Sequence, residues 1–180
     1  MLQHLYHFQS LDERASIRRK LFSNPQWLDY VREAKKCLVA DHAEIFSEAT
    51  DVMQAAAVKE AGTGGESSSE NGTSVFELRE YQLIAGYSSV TKLREAFVRG
   101  IGSKVRADPN GELKFFGYIE FGTLNKVIEL WKYPSAQACL NGRVASRSAV
   151  EWREVVGAVA PYADRFQSQL MIPASFSPWR

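Results

Sequence analysis

Histidine and cysteine are scarce in this 180-residue chain, and where they fall matters more than how few they are. The three histidines are His4, His7 and His42, and none lies between Phe76 and the end. His4 and His7 sit three apart in what reads as a strand, hence on opposite faces, which is poor geometry for a shared metal ion. His42 is isolated, with Asp41 beside it as a turn partner. The only cysteines, Cys37 and Cys139, fall in different segments, which excludes a disulfide framework and suits a reducing compartment. No apolar run approaches the roughly 18 residues that span a bilayer, and no secretory signal is expected from the opening residues. Charge of one sign is lacking too. Lys+Arg number 22 and Asp+Glu 21, so a net +1 leaves no strong field for nucleic acid or membrane. Residues 1–74 carry −3 and residues 75–180 carry +4, a modest asymmetry.

What is present is a core. A hydrophobic content of 45% is too high for disorder throughout and supports one full domain plus something smaller. The clearest boundary is residues 54–74, which include Gly62-Thr63-Gly64-Gly65 and Ser67-Ser68-Ser69 and read as a disordered linker. Asn71-Gly72-Thr73 matches a glycosylation sequon, read as chance in a linker.

From residue 75 the pattern is strand, helix, strand, strand, helix, strand. Val75 to Ile84 is strand-rich in aliphatic and aromatic residues. A helix capped by Ser88 or Ser89 carries Val90, Leu93, Phe97 and Ile101 on one face, and Gly100 and Gly102 are expected to end it. Leu113 to Phe121 and Leu124 to Tyr133 form a hairpin about Gly122-Thr123. Ser135 caps a helical region expected to break at Asn141-Gly142 and to resume through Trp152, Val155, Val156 and Val159 until Pro161. Phe166, Ser168, Leu170 and Ile172 alternate as the last strand. The order βαββαβ predicts an α+β fold of ferredoxin-like plan. The sheet face away from the helices carries large apolar residues and needs cover from a second copy, so self-association through it is expected.

The first fifty residues echo the tail. A shift of 125 residues places Leu5 on Leu130, Ser10 on Ser135, Arg18 on Arg143, Ser23 on Ser148, Trp27 on Trp152 and Val31 on Val156. Ile45-Phe46 then falls on Leu170-Met171. On this internal repeat, Leu2–Phe8 and Glu44–Val52 are expected as strands, and residues 1–53 as the back half of a first domain, truncated at its front. Met1 would then lie in mid-domain, as in a fragment or a short form. Trp27 and Trp152 are expected as anchors between helix and sheet.

Phe76-Glu77-Leu78-Arg79-Glu80-Tyr81, Gly122-Thr123-Leu124-Asn125-Lys126-Val127, Leu130-Trp131-Lys132-Tyr133 and the closing Ile172-Pro173-Ala174-Ser175-Phe176-Ser177-Pro178 resemble the NipSnap family. The resemblance covers residues 75–180 as a complete domain, and residues 1–53 resemble the second half of the first of two such domains. It implies the dimeric α+β barrel, in which two ferredoxin-like units pack sheet to sheet. It also implies a mitochondrial association, with roles in vesicular traffic or mitochondrial quality control through protein contacts. Asp12 and Glu13 beside Arg14, Arg18, Arg19 and Lys20 make the start a poor presequence, so a cytosolic location is the alternative.

Two rival readings attach to particular residues. Lys114-Phe115-Phe116-Gly117-Tyr118-Ile119-Glu120-Phe121 nearly fits the RNP1 pattern of RNA-recognition domains, in which Phe116 and Tyr118 would stack on bases. Its setting speaks against it: a further strand follows directly, and the first strand lacks the companion aromatic pattern. Nucleic acid is therefore not an expected partner. The other rival is a small-molecule-binding or monooxygenase-like barrel, with Arg79, Tyr81, Tyr118, Glu120, Glu129 and Trp131 lining its cavity. Arg79 with Glu129 reads as an ion pair rather than an acid/base dyad. No nucleophile–base pair can be named, no proximal haem ligand stands out, and no catalytic residue, metal or cofactor is expected.

Overall fold

The computed structural model describes residues 2–57 and 74–179. These divide into two units, up to Ala43 and from Glu44 onward.

In the first unit, α1 (Leu11–Phe22) starts where Ser10 accepts a hydrogen bond from the Glu13 amide at 3.1 Å while Glu13 accepts one from the Gln9 amide at 2.6 Å. This is a reciprocal cap that satisfies two amide donors at the helix start. α2 (Pro25–Lys35) has Asn24 as its cap and proline in its first turn, where a missing N–H costs nothing. Neither helix buries a residue. Leu2–Phe8, expected as a strand, forms none.

The second unit is one five-stranded sheet with helices. Its elements are β1 (Ile45–Glu48), α3 (Thr50–Ala57), β2 (Val75–Leu83), α4 (Ser89–Ala107), β3 (Glu112–Phe121), β4 (Lys126–Tyr133), α5 (Ala136–Ser146), α6 (Val150–Val159), a 3-10 turn at Ala160–Tyr162 and β5 (Ala163–Met171). The strand order is β1-β3-β4-β2-β5, and every pairing is antiparallel. β2 to β5 with their helices are the expected ferredoxin-like unit, so the α+β fold class stands. β1 is a fifth strand on the β3 edge, pairing Ile45 with Phe121 and Glu48 with Gly117.

Several boundaries move, each for a local reason. The strand expected over Glu44–Val52 stops at Glu48, the Ala49 amide bonds the Phe116 carbonyl at 2.9 Å, and α3 begins at Thr50. Val52 and Ala56 of α3 are buried, so the residues from 54 to 57 belong to a packed helix. Residues 58–73 of the expected linker, with the sequon, lie outside the described residues, and Ser74 at its end is buried. α4 runs through both Gly100 and Gly102 to Ala107. Gly100 is there for proximity: a Cβ would meet Val155 and the Glu151 carbonyl oxygen of α6. Gly142 does not break its helix either. A Cβ there would run into the Asp108 carboxylate, and the break falls instead at residues 147–149, between α5 and α6.

The sheet has two apolar faces, because successive residues of a strand alternate sides. Leu83, Val127, Trp131 and Phe116 face the helices and pack with Leu93, Phe97, Ile101, Trp152 and Val155. Phe97 meets Trp152 edge-on, with ring centroids 5.1 Å apart. Trp152 is thus the anchor expected of it, whereas Trp27 is half-buried against Tyr30. On the opposite face Phe76, Leu78, Ile128 and Leu130 cluster with Phe46, Phe115 and Met171. A register shift between Leu113 and Phe115 moves β3 from one face to the other along its length. Trp179 of the tail stacks on Phe76 at 5.7 Å.

Candidate functional site

The helix-side face of the sheet carries a line of ionisable groups within the core. Alternation along β2 puts Glu77, Arg79 and Tyr81 on one face, and the antiparallel register sets Glu129 opposite Arg79 and Trp131 opposite Glu77. Glu77 is the hub. Arg79 grips both its oxygens, Nε to Oε1 at 2.9 Å and Nη2 to Oε2 at 3.1 Å. Arg143 of α5 donates to the same Oε1 and to Ser168 Oγ at 2.5 Å. Ser168 Oγ donates to Oε1 at 2.8 Å, and Cys139 Sγ to Oε2 at 3.4 Å. Burial pushes the Glu77 carboxyl up, but Arg79, Ser168 and Arg143 outweigh it and hold the group at about 2.

Glu129 is served separately. Tyr81 Oη donates to one of its oxygens and Trp131 Nε1 to the other at 2.5 Å. Burial and then the Glu129 charge push the Tyr81 hydroxyl well above its ordinary value, so it stays a donor. Lower in the layer, Tyr133 Oη donates to Asp108 Oδ2 at 2.9 Å. Lys104 of α4 points into this layer, 1% exposed, its Nζ 2.9 Å from the centre of the Trp131 ring. Among the described residues, neither Lys104 Nζ nor Asp108 Oδ1 has a hydrogen-bond partner. Burial, then the Arg79 charge, lower the Lys104 amine to about 7 against the pull of Glu129, Asp108 and Glu77.

This geometry corrects the cavity expectation. Arg79, Tyr81, Glu129 and Trp131 do come together, but beneath the helices, in packed core. Tyr118 also points to that side, under the Arg94 guanidinium at 4.9 Å. Glu120 stands apart at the exposed end of β3, where Ser47 Oγ bonds it at 2.8 Å. An open cavity of about 300 Å³ lies elsewhere, between Met53 and Ala56 of α3, Val105 of α4 and Leu113 of β3, and none of the six lines it. Arg79 pairs with Glu77 rather than Glu129. Burial and Glu77 push the Cys139 thiol up to about 11, which keeps it protonated near neutral pH. No group of histidines, cysteines and carboxylates among the described residues is arranged to hold a metal ion. What the network can do is hold charge and fix strand register. Phe116, read as a base-stacking residue, is fully buried against Phe97 and cannot meet a base without unfolding the core.

Glu77, Lys104, Asp108 and Tyr133 were not singled out by sequence. Glu77 shares the parity of Arg79 and Tyr81. Lys104 is three residues beyond Ile101 and seven beyond Phe97, so a lysine interrupting an apolar helical stripe was the available signal.

With the fold in place, residues 76–178 match the NIPSNAP family model. The chain belongs to the NIPSNAP family. Its NIPSNAP relatives include Protein NipSnap homolog 2 of Danio rerio, 26% identical over 162 residues that span 90% of this chain and 51% of the relative. Protein NipSnap homolog 3B of Homo sapiens is 27% identical over 177 residues, spanning 97% and 65%. The chain thus spans about half to two thirds of the length of these relatives. A crystal structure of a NIPSNAP-like domain protein from Burkholderia xenovorans superposes with a TM-score of 0.53 at 28% identity, over 59% of this chain and 90% of that one. An Agrobacterium tumefaciens NIPSNAP family protein of unknown function shares the fold at 22% identity, with a TM-score of 0.53 over 61% and 96%. Among the described residues no helix is long and apolar enough to cross a membrane.

Proposed function

We propose that this NIPSNAP chain acts by binding proteins, another copy of itself included, and not by catalysis. The observation that carries this is β5 with the tail behind it. Phe166, Leu170, Ile172, Phe176 and Trp179 are all exposed there, the first two at 53% and 52%. β5 has one strand neighbour, β2, so this apolar stretch borders an edge that no strand covers among the described residues. Exposed apolar side chains along a sheet edge mark an interaction surface. Meanwhile Glu77, Arg79, Tyr81 and Glu129 of the ionisable layer are tied up with one another and with their neighbours in the core. Family membership supports a mitochondrial association, with a part in vesicular traffic or mitochondrial quality control, through such contacts. The residues from 1 to 53 are taken with this as part of a first NIPSNAP-type domain.

The test is sedimentation of the purified chain across a concentration series, beside a Phe166→Asp/Leu170→Asp variant. Concentration-dependent association in the parent, lost in the variant with its near-ultraviolet circular dichroism unchanged, supports the reading. Identical behaviour of the two chains overturns it.

A further inference from the structure

The cavity of about 300 Å³ between α3, α4 and β3 plays no part in the protein contacts proposed for β5 and the tail. Met53, Ala56 and Ala57 of α3 form one wall and Val105 of α4 another. Gly111, with Glu112 and Leu113 at the start of β3, forms the third. The lining is apolar except for Glu112 and the Gly111 backbone. An apolar wall with a few polar groups is the make-up of a small-molecule site, and the volume is at the lower end for one.

Three features give this space a negative sign. Glu112 brings an exposed carboxylate to its rim, where Lys114 bonds one of the two oxygens at 2.5 Å. The cavity also lies at the C-terminal end of α4, which closes at Ala107 with the Asp108 amide on the Lys104 carbonyl at 2.9 Å. Carbonyl groups at a helix C-terminus carry partial negative charge and favour a cation. The third feature is Asp108, directly behind the Gly111 wall. A Cβ on Gly111 would come within 2.7 Å of Asp108 Oδ2 and 2.9 Å of the Tyr133 ring, so glycine is what lets the wall lie this close to the carboxylate. Asp108 is 1% exposed and accepts from Tyr133 through Oδ2, while Oδ1 has no partner among the described residues. A buried carboxylate so sparsely bonded acts on its surroundings at low dielectric. The cations nearby are placed elsewhere: Arg106 pairs with Glu151 at 2.9 Å, and Lys104 Nζ lies over the Trp131 ring without a hydrogen bond.

The geometry points to a binding site for a small organic cation: a primary amine on a short alkyl or aryl body. The body lies between Met53, Ala56, Val105 and Leu113, and the ammonium group joins Lys114 on the Glu112 carboxylate. Asp108 and the end of α4 act across the wall through their field, without touching the ligand. An anionic ligand of the same shape meets that field with the wrong sign, and a neutral one gains nothing from it. The site is independent of the apolar edge at β5 and stands whether or not that edge binds proteins.

The test uses n-hexylamine as the probe, with hexan-1-ol and hexanoate as neutral and anionic controls. The full chain, labelled on backbone nitrogen and methionine methyls, is titrated with each by NMR at pH 8. There the probe amine is charged, while the Lys104 amine, lowered to about 7, is largely neutral and does not offset Asp108. The expected result is a set of shifts at the Met53 methyl and the Val105, Gly111 and Leu113 amides, saturating with a Kd of about 1 mM for hexylamine. Hexan-1-ol should bind at least about threefold more weakly, and hexanoate more weakly still. Glu112→Gln should narrow the preference for amine over alcohol. Ala57→Phe, which fills the space from an exposed position on α3, should abolish the shifts. Ala57→Leu replaces it where near-ultraviolet circular dichroism shows that the phenylalanine variant has not folded. Equal binding of the three probes overturns the cation class, and an amine preference unchanged in Glu112→Gln overturns the placing of the ammonium group. Shifts that are absent, or scattered outside the cavity, overturn the site.

Discussion

Replacing Lys104 with methionine should stabilise the protein at neutral pH, an unusual outcome for a buried lysine that touches so much. The amine is 1% exposed, lies over the Trp131 ring and has no hydrogen-bond partner. In the unfolded chain it titrates near 10.5, and in the fold near 7. Between those values the unfolded state holds a proton that the folded state lacks. Folding must release it, so stability rises with pH across this window and is flat below pH 7. Worked as a single site, the penalty is about 4 kcal/mol at pH 7 and about 2 kcal/mol at pH 9. Methionine keeps the unbranched stem and has nothing to deprotonate. Urea unfolding of both chains at pH 7, 8 and 9 should give a methionine variant more stable by several kcal/mol at pH 7, with the gap narrowing by about 2 kcal/mol at pH 9. The Cys139 thiol, pushed up to about 11, acts with the opposite sign above pH 9 and is common to both chains, so it cancels in the difference. Equal pH slopes for the two chains, or a less stable methionine variant at pH 7, would refute the argument. Either would mean that the ammonium is held on the Trp131 face by a cation–π attraction strong enough to offset its burial.

Two further expectations follow from the same layer. The Glu77 carboxyl, held at about 2 rather than 4.5, contributes stability that is present above about pH 4.5 and is lost as pH falls toward 2. Glu77→Gln should flatten that acid limb and cost roughly 3–5 kcal/mol at pH 7, because Arg79 and Arg143 are left without their shared counter-charge; acid titration of the unfolding midpoint reads both effects. Gly142→Ala should cost roughly 1–3 kcal/mol in thermal unfolding, since its Cβ enters the Asp108 carboxylate that Tyr133 bonds. Most of that cost should vanish in an Asp108→Ala background, where the obstruction is gone.

The order of elements from β2 to β5 was readable because the periods are clean: two in the strands, and an apolar stripe of Leu93, Phe97 and Ile101 in α4. The failures come from contacts that leave no local mark. Gly100 and Gly142 look like helix stops in one dimension, yet each is small because another element passes close by. Alternation correctly grouped Arg79 with Tyr81, and Glu129 with Trp131. It could not say which face the helices would cover, so groups assigned to an open cavity lie in the closed layer instead. The strand expected over Glu44–Val52 was carried on the offset from the last strand. Only its first part keeps that fate, because Val52 and Ala56 find a helical partner in α4.

The closed layer and the open edge are mechanically one feature. Ser168 lies on β5, and the Glu77–Arg143–Ser168 contacts tie that strand to β2 on one side and to α5 on the other. One residue further out along the same face, the Phe166 ring lies flat on Tyr81 at 4.7 Å, and Tyr81 is itself fixed by Glu129. A slip of one residue in the β2–β5 register would turn Ser168 away from Glu77 and carry Phe166 and Leu170 to the other face. Buried ionic groups contribute little net stability compared with apolar packing, but their geometry penalises every register except one. The carboxylates and guanidinium groups inside this protein therefore serve the apolar edge outside it. They hold β5 in the single alignment at which Phe166 and Leu170 keep their places along the exposed edge.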